Sequence, residues 1–180
     1  MLQEADIFIT GGSGFFGRAL LRYWLAKGKV GLQNPRISVL SRDPSNFLLS
    51  YPEFAGQAWL KFYAGDIQQP ESLPKKKCFS HLIHVAADST FGPRLSSLDR
   101  YDQIVDGTRN ILDYARATQV QRFLYVSSGG VYGPQPQNEK SLSEDSAIRL
   151  SVNSAGSAYG VGKLAAEHLC ALYADEFGLQ

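Results

Sequence analysis

The stretch Ile7–Gly17, IFITGGSGFFG, decides how the rest of the chain is read. It begins as a short apolar strand, bends through glycines and opens into a helix. Gly11, Gly14 and Gly17 fit G-x-x-G-x-x-G, and Gly12, Gly14 and Gly17 fit G-x-G-x-x-G. Such a turn brings backbone N–H groups and a helix N-terminus against a pyrophosphate, where side chains would block the approach. Glycine also supplies any positive φ the turn demands. The spacing alone suits an ordinary turn equally well. A strand before it and a helix rich in Leu, Ala and Arg after it supply the context of dinucleotide binding.

Outward from that stretch, strands are expected at Ala5–Thr10, Arg36–Leu40, Trp59–Tyr63, His81–Ala87 and Arg122–Val126. The helix after the glycines carries Phe16, Leu20, Tyr23, Trp24 and Ala26 at helical spacing and is expected to stop at Gly28. Pro44 opens a short helix through Leu49. Ser97–Thr118 reads as a long helix with the stripe Leu98, Tyr101, Ile104, Val105, Ile111, Leu112 and Ala115, and Tyr159–Phe177 as a last one. Residues 134–157, rich in Pro, Ser, Asn and Glu, read as a long functional or mobile loop. No internal repeat is visible. Alternating strands and helices imply parallel βαβ units, hence an α/β, doubly wound parallel sheet. The strands are short apolar runs, as burial on both faces requires. Ligands in such sheets lie at the carboxyl ends of the strands. The unusual segments all fall there: the glycines, Ser41-Arg42, Asp66, Ala86-Ala87 and Ser127-Ser128.

Composition narrows the partners. The chain has 180 residues, which predicts one domain spanning 1–180, and a net charge of +1, which implies neither nucleic acid nor an anionic membrane. The N-terminus shows no signal-peptide pattern, and no apolar run reaches bilayer length. Cys78 and Cys170 lie far apart and read as buried thiols in a reducing cytoplasm. Lys75, Lys76 and Lys77 read as a solvated turn. His84 reads as a packed core histidine; with His81 and His168 it shows no metal spacing, so no metal is expected. Trp24 and Trp59 read as core. Asp88, Ser89 and Thr90 suit a pocket wall or an ordinary turn.

Tyr159-Gly-Val-Gly-Lys163 is the second chemical signal. Residues four apart share one helix face. A phenol titrates near ~10 and is a poor acid or base at neutral pH, but a neighbouring ammonium and a positive nicotinamide favour the phenolate. The lysine can also hold a ribose, and Ser128, at a strand end, can polarise a substrate oxygen.

TGGSGFFG (10–17), GDI (65–67), HVAA (84–87), GTRNIL (107–112), SSGGVYG (127–133) and YGVGK (159–163) together resemble the extended short-chain dehydrogenases/reductases, the NAD(P)-dependent epimerase/dehydratase family that acts largely on nucleotide sugars. The resemblance implies a Rossmann fold and hydride-transfer chemistry on a nucleotide sugar. It makes Tyr159 the acid/base, Lys163 its partner and Ser128 the third catalytic residue. Cofactor contacts are expected from Gly11, Gly14, Phe15, Phe16, Gly17, Ser41, Arg42, Asp66, Ile67, Ala86, Ala87, Tyr159 and Lys163, with Asp66 on the adenine and Ile67 beside it. A homodimer is allowed.

Three departures stand out. Ile104 takes the place of an Asn in the family's N-V-x-G-T segment, which removes a polar contact. Gly129 and Gly130 replace the acidic pair of the 4,6-dehydratases. Elimination of water needs an extra acid and base, so epimerisation or keto-sugar reduction is expected instead. The resemblance covers only the cofactor half, and a Gly178 cap points onward to another strand. The chain is therefore expected to be the N-terminal part of a longer enzyme and silent by itself. Alternatives are a non-catalytic NAD(P)-binding sensor or scaffold, and a reductase of a non-sugar carbonyl. At the end of the second strand, Ser41 and Arg42 favour NADP over NAD, because an acidic residue accepting the ribose hydroxyls would stand there in an NAD binder. Asp43 reads as a helix cap instead.

Overall fold

The structure is a computed structural model that describes residues 5–29, 35–75, 78–87 and 95–180. In chain order it contains β1 (Asp6–Thr10), α1 (Phe15–Lys29), β2 (Arg36–Ser41), α2 (Pro44–Ser50), β3 (Leu60–Ala64), β4 (His81–His84), α3 (Ser97–Ala117), β5 (Arg122–Tyr125) and α4 (Ala158–Phe177). Short 3₁₀ segments lie at Pro52–Phe54, Pro70–Ser72, Gly129–Tyr132 and Ala155–Ser157. All five strands are parallel, in the order β3-β2-β1-β4-β5. After β3 the chain returns to the middle and enters β4 beside β1. The order therefore reverses between β1 and β4, the point at which open α/β sheets bind ligands.

The period-two geometry of β1 explains the layers. Ile7 and Ile9 pack on one face with Leu21 and Trp24 of α1 and with Phe47 and Phe54. Phe8 points the other way, with Leu40, Leu82, Ile111 and Ala115, and stacks on Phe79 at 4.8 Å between centroids. Burying each such side chain stabilises the fold by ~1.5–3 kcal/mol. Helix α4 joins α3 through Leu112, Leu169 and Tyr173, and the Tyr173 hydroxyl donates to Asp113 Oδ1 at 2.6 Å.

The turn after β1 is fixed by backbone contact. Gly11 has φ +73°, and a Cβ there would lie 2.6 Å from Ala86 N and 2.7 Å from Ala86 Cα. A Cβ on Gly17 would run into Gly12 Cα and lie 2.5 Å from the Gly11 carbonyl oxygen. Gly14 differs: within 4 Å of its Cβ position only the Gly11 carbonyl oxygen is met, at 3.2 Å.

Several expectations need correction. Gly28 lies inside α1, which ends at Lys29; one helical glycine costs only ~1 kcal/mol, and the packing of Trp24 outweighs it. Strand β4 ends at His84 rather than Ala87, because beyond it only Val85 still donates to a backbone carbonyl of β1, Thr10 O, and Ala86 turns to the Thr10 side chain. Phe16, Tyr23 and Leu98 are exposed, since Leu21 and Trp24 form the buried face of α1 and Ile104, Ile111 and Leu112 that of α3. Cys78 is exposed, and Cys170 is half-buried, its thiol pushed up to about 11 by that burial. Trp24 is buried and Trp59 half-buried against the same cluster. Asp43 does cap α2, accepting the Asn46 N–H at 2.9 Å. Residues 134–157 carry isolated turns and, as their one helical piece, the 3₁₀ segment Ala155–Ser157, and are tied down by the Arg149 N–H donating to Tyr132 O at 2.8 Å. Gly178, at φ +67°, caps α4, and the chain returns to the open edge of β5, where the Phe123 N–H donates to Gln180 O at 2.5 Å. Lys76, Lys77, Asp88, Ser89 and Thr90 lie outside the described residues. Among those described, no helix is long and apolar enough to cross a membrane.

Gly17→Ala should destabilise the fold by about 1–3 kcal/mol, because no rotamer relieves a clash with backbone. Calorimetry should read this as a loss of ~3–10 °C in Tm, and Gly14→Ala should lose much less.

Candidate functional site

A cavity of about 390 Å³ opens at the carboxyl ends of β1, β2, β3 and β4. Its floor is the glycine turn, with Gly11, Gly14, Phe15 and Phe16; one wall is Ser41-Arg42 and another Asp66-Ile67; Ala86 and Ala87 close the third. Of the residues expected to touch a dinucleotide, Gly17, Tyr159 and Lys163 do not line this cavity; Gly17 stands back, packed behind the turn on Gly12. The fit to a dinucleotide is physical. A side chain at Gly14 would project from the turn beside the start of α1, where the helix dipole favours a phosphate.

The Asp66-Ile67 wall is held by neighbours. Ser72 Oγ accepts the Asp66 N–H at 2.9 Å, and Asp66 Oδ1 accepts the Gln68 N–H at 2.9 Å. Asn110 Nδ2 donates to Ile67 O at 2.9 Å. A Cβ on Gly107 would lie 2.6 Å from Ile67 Cδ1. The GTRN segment of α3 is thus the support of this loop.

The catalytic candidates gather beyond β5. Ser128 Oγ accepts the Gly130 N–H at 3.1 Å. A Cβ on Gly130 would lie 3.3 Å from that oxygen and 3.5 Å from Tyr159 Cδ1 and Cε1. The glycine therefore leaves open the space between the serine hydroxyl and the tyrosine ring. Lys163 is 3% exposed; its Nζ donates to Val126 O at 2.8 Å and lies 4.7 Å from the centroid of the Tyr125 ring. Burial pushes its ammonium down to about 8. His84 is buried between Thr10 and Thr108, and burial with the nearby Lys163 charge pushes its imidazole down to about 3. Ser127 Oγ is buried without a hydrogen-bond partner among the described residues. Those residues contain no cluster of metal-ligating side chains.

Ser13, Leu40, Gly65, Val85 and Gln103 also line the cavity and escaped the sequence reading. Gln103 carried a signal: it stands four residues before Gly107 on the buried face of α3, a polar residue in an apolar stripe. Ile104, where the family's Asn is missing, packs instead across α3 and α4, its Cβ and Cδ1 each 3.5 Å from the Cβ position of Gly162. The neighbouring amide, Gln103, is the one that reaches the cavity wall.

A model of the NAD dependent epimerase/dehydratase family matches residues 7–180. The chain is 30% identical over 186 residues to a dTDP-D-glucose 4,6-dehydratase of Dictyostelium discoideum, covering 96% of this chain and 41% of that one. It is 27% identical to a UDP-glucose 4-epimerase of Streptomyces lividans, covering 98% and 50%. The solved UDP-Glc/GlcNAc 4-epimerase of Campylobacter jejuni superposes with a TM-score of 0.77 at 24% identity, over 97% of this chain and 50% of that one. The chain thus spans about half the length of the curated relatives it matches.

The buried lysine predicts a pH dependence. Between about 8 and its ordinary value of 10.5 the unfolded chain holds a proton that folded Lys163 has released. Stability must therefore rise with pH across that window and be lost as pH falls through about 8. Urea denaturation of wild type and Lys163→Met should show the wild type gaining on the variant from pH 8 to 10.

Proposed function

This chain belongs to the NAD-dependent epimerase/dehydratase family, and from that premise we propose that it is the cofactor-binding part of an NAD(P)-dependent oxidoreductase acting on a nucleotide sugar, as an epimerase or keto-sugar reductase. The observation that carries this reading is the open space at Gly130, flanked by Ser128 Oγ and the Tyr159 ring. A sugar hydroxyl entering it would meet both a hydrogen-bond donor and a proton acceptor. Tyr159 Oη takes the hydroxyl proton as the carbinol carbon gives up hydride, and returns a proton when hydride comes back. Ser128 Oγ holds the same oxygen in its alcohol and ketone forms. Lys163 supplies positive charge on the tyrosine's side of α4 and hydrogen-bonds a ribose. The bound dinucleotide supplies hydride acceptance and return; glycines at 129 and 130 supply no further acid or base, which disfavours elimination of water.

For the cofactor we favour NADP(H). Ser41 and Arg42 line the cavity at the end of β2. Hydroxyl and guanidinium both suit a 2′-phosphate. Asp43, the acidic side chain next to Arg42 in sequence, is engaged as the α2 cap.

In the full-length protein, Tyr159→Phe should lower kcat by about 10²–10⁴ while calorimetry finds cofactor affinity nearly intact. Near-wild-type turnover would refute the assignment. Gly14→Val should abolish dinucleotide binding without unfolding the chain. Arg42→Ala should weaken NADPH more than NADH in fluorescence titrations; tighter NADH binding by the wild type would overturn the cofactor preference.

A further inference from the structure

One buried side chain in the core behind the cavity is called for neither by phosphate binding nor by proton transfer to a substrate. His84 ends β4 with 1% of its surface exposed. Its Nδ1 lies 2.5 Å from Thr10 Oγ1 at the end of β1, and its Nε2 3.2 Å from Thr108 Oγ1 on α3. Thr10 Oγ1 has a second role, accepting the Ala86 N–H at 3.4 Å. Ala86 lines the cavity, and its N and Cα are the atoms a side chain on Gly11 would strike.

We propose that His84 is a positioning residue for the dinucleotide cleft: as the Nε2–H tautomer it accepts the Thr10 hydroxyl proton at Nδ1, donates to Thr108, and so orients Thr10 Oγ1 to hold the Ala86 N–H at the cleft wall. The cleft's ligand is the one assigned under the proposed function, and the inference rests on that reading. The tautomer follows from counting protons. A threonine hydroxyl has one proton and two acceptor sites. Thr10 is buried, and with the Ala86 N–H donating to its Oγ1, the one acceptor its hydroxyl proton meets among the described residues is Nδ1. The ring's own proton then sits on Nε2, facing Thr108. A doubly protonated ring would present a donor to Thr10 and turn its hydroxyl away. Lys163 on α4 sets a positive charge against that second proton, and the Phe123 and Tyr125 rings of β5 pack around the imidazole at 6.3 and 5.7 Å between centroids. The bond to Ala86 is long for N–H···O, so its strength depends on the orientation of the hydroxyl that His84 sets.

The test uses the 180-residue chain. Long-range ¹⁵N–¹H spectra of the His84 ring should show an unprotonated Nδ1 and a protonated Nε2. An asparagine amide reaches about as far as Nδ1, and a glutamine amide about as far as Nε2. His84→Gln should therefore speed amide hydrogen exchange at Ala86 and weaken NADPH binding, each by about tenfold, and His84→Asn should preserve both better at a similar loss of Tm. Should either variant fail to fold, Thr10→Val and Thr108→Val replace them: the first should loosen Ala86 and weaken binding, the second should lower Tm alone. An Nδ1–H tautomer, or equal effects within either pair, overturns the proposal. If the wild type binds neither NADPH nor NADH, the dinucleotide reading fails, while the tautomer and the Ala86 exchange still decide whether His84 positions that amide.

Discussion

Backbone meets backbone where the Gly11 turn passes Ala86, and everything at the cavity is arranged around that approach. A methyl group at Gly11 has no room, and its φ of +73° is one that side chains resist. Gly17, in the first turn of α1, repeats the constraint against Gly12. The consequence is a cleft whose floor is made of peptide groups at the point where strand order reverses. A charged phosphate can be reached there by N–H groups and by the start of α1. The third glycine, Gly14, meets only the Gly11 carbonyl oxygen and lines the cavity, so its place in the motif answers to the cavity more than to packing.

Helix α3 supports two walls of that cleft from behind. Gly107 and Asn110 hold Ile67 in place from its side chain and its carbonyl. Thr108 reaches His84, which reaches Thr10. Ile104 packs toward Gly162, and that contact brings α4 close. The position of Tyr159 and Lys163 at the start of α4 follows from this packing. Burying the Lys163 ammonium is unfavourable, as its lowered titration shows, and the Val126 carbonyl and Tyr125 ring offset part of the loss. A cation buried at such a cost supports the role proposed for Lys163 beside Tyr159.

The sequence by itself determined the order of strands and helices, the parallel sheet, the glycine turn and the segments that converge on the cavity. These are local properties: short apolar runs, glycine spacing and strand-end residues fall together whatever the rest of the chain does. It also placed Asp43 as a cap and His84 as a core histidine, since each depends on neighbours a few residues away or on strand membership. Only the tertiary structure decided the rest. The exposure of Cys78 and Phe16, the burial of Gln103 beside the cavity and the run of α1 through Gly28 depend on which distant surfaces cover them. The same holds for the partners of His84: Thr10 is 74 residues away and Thr108 is 24 residues on. No periodicity or motif encodes a hydrogen bond across such separations; it exists because β1, β4 and α3 bury one another's side chains, and an imidazole closed off from water has to find its partners among them.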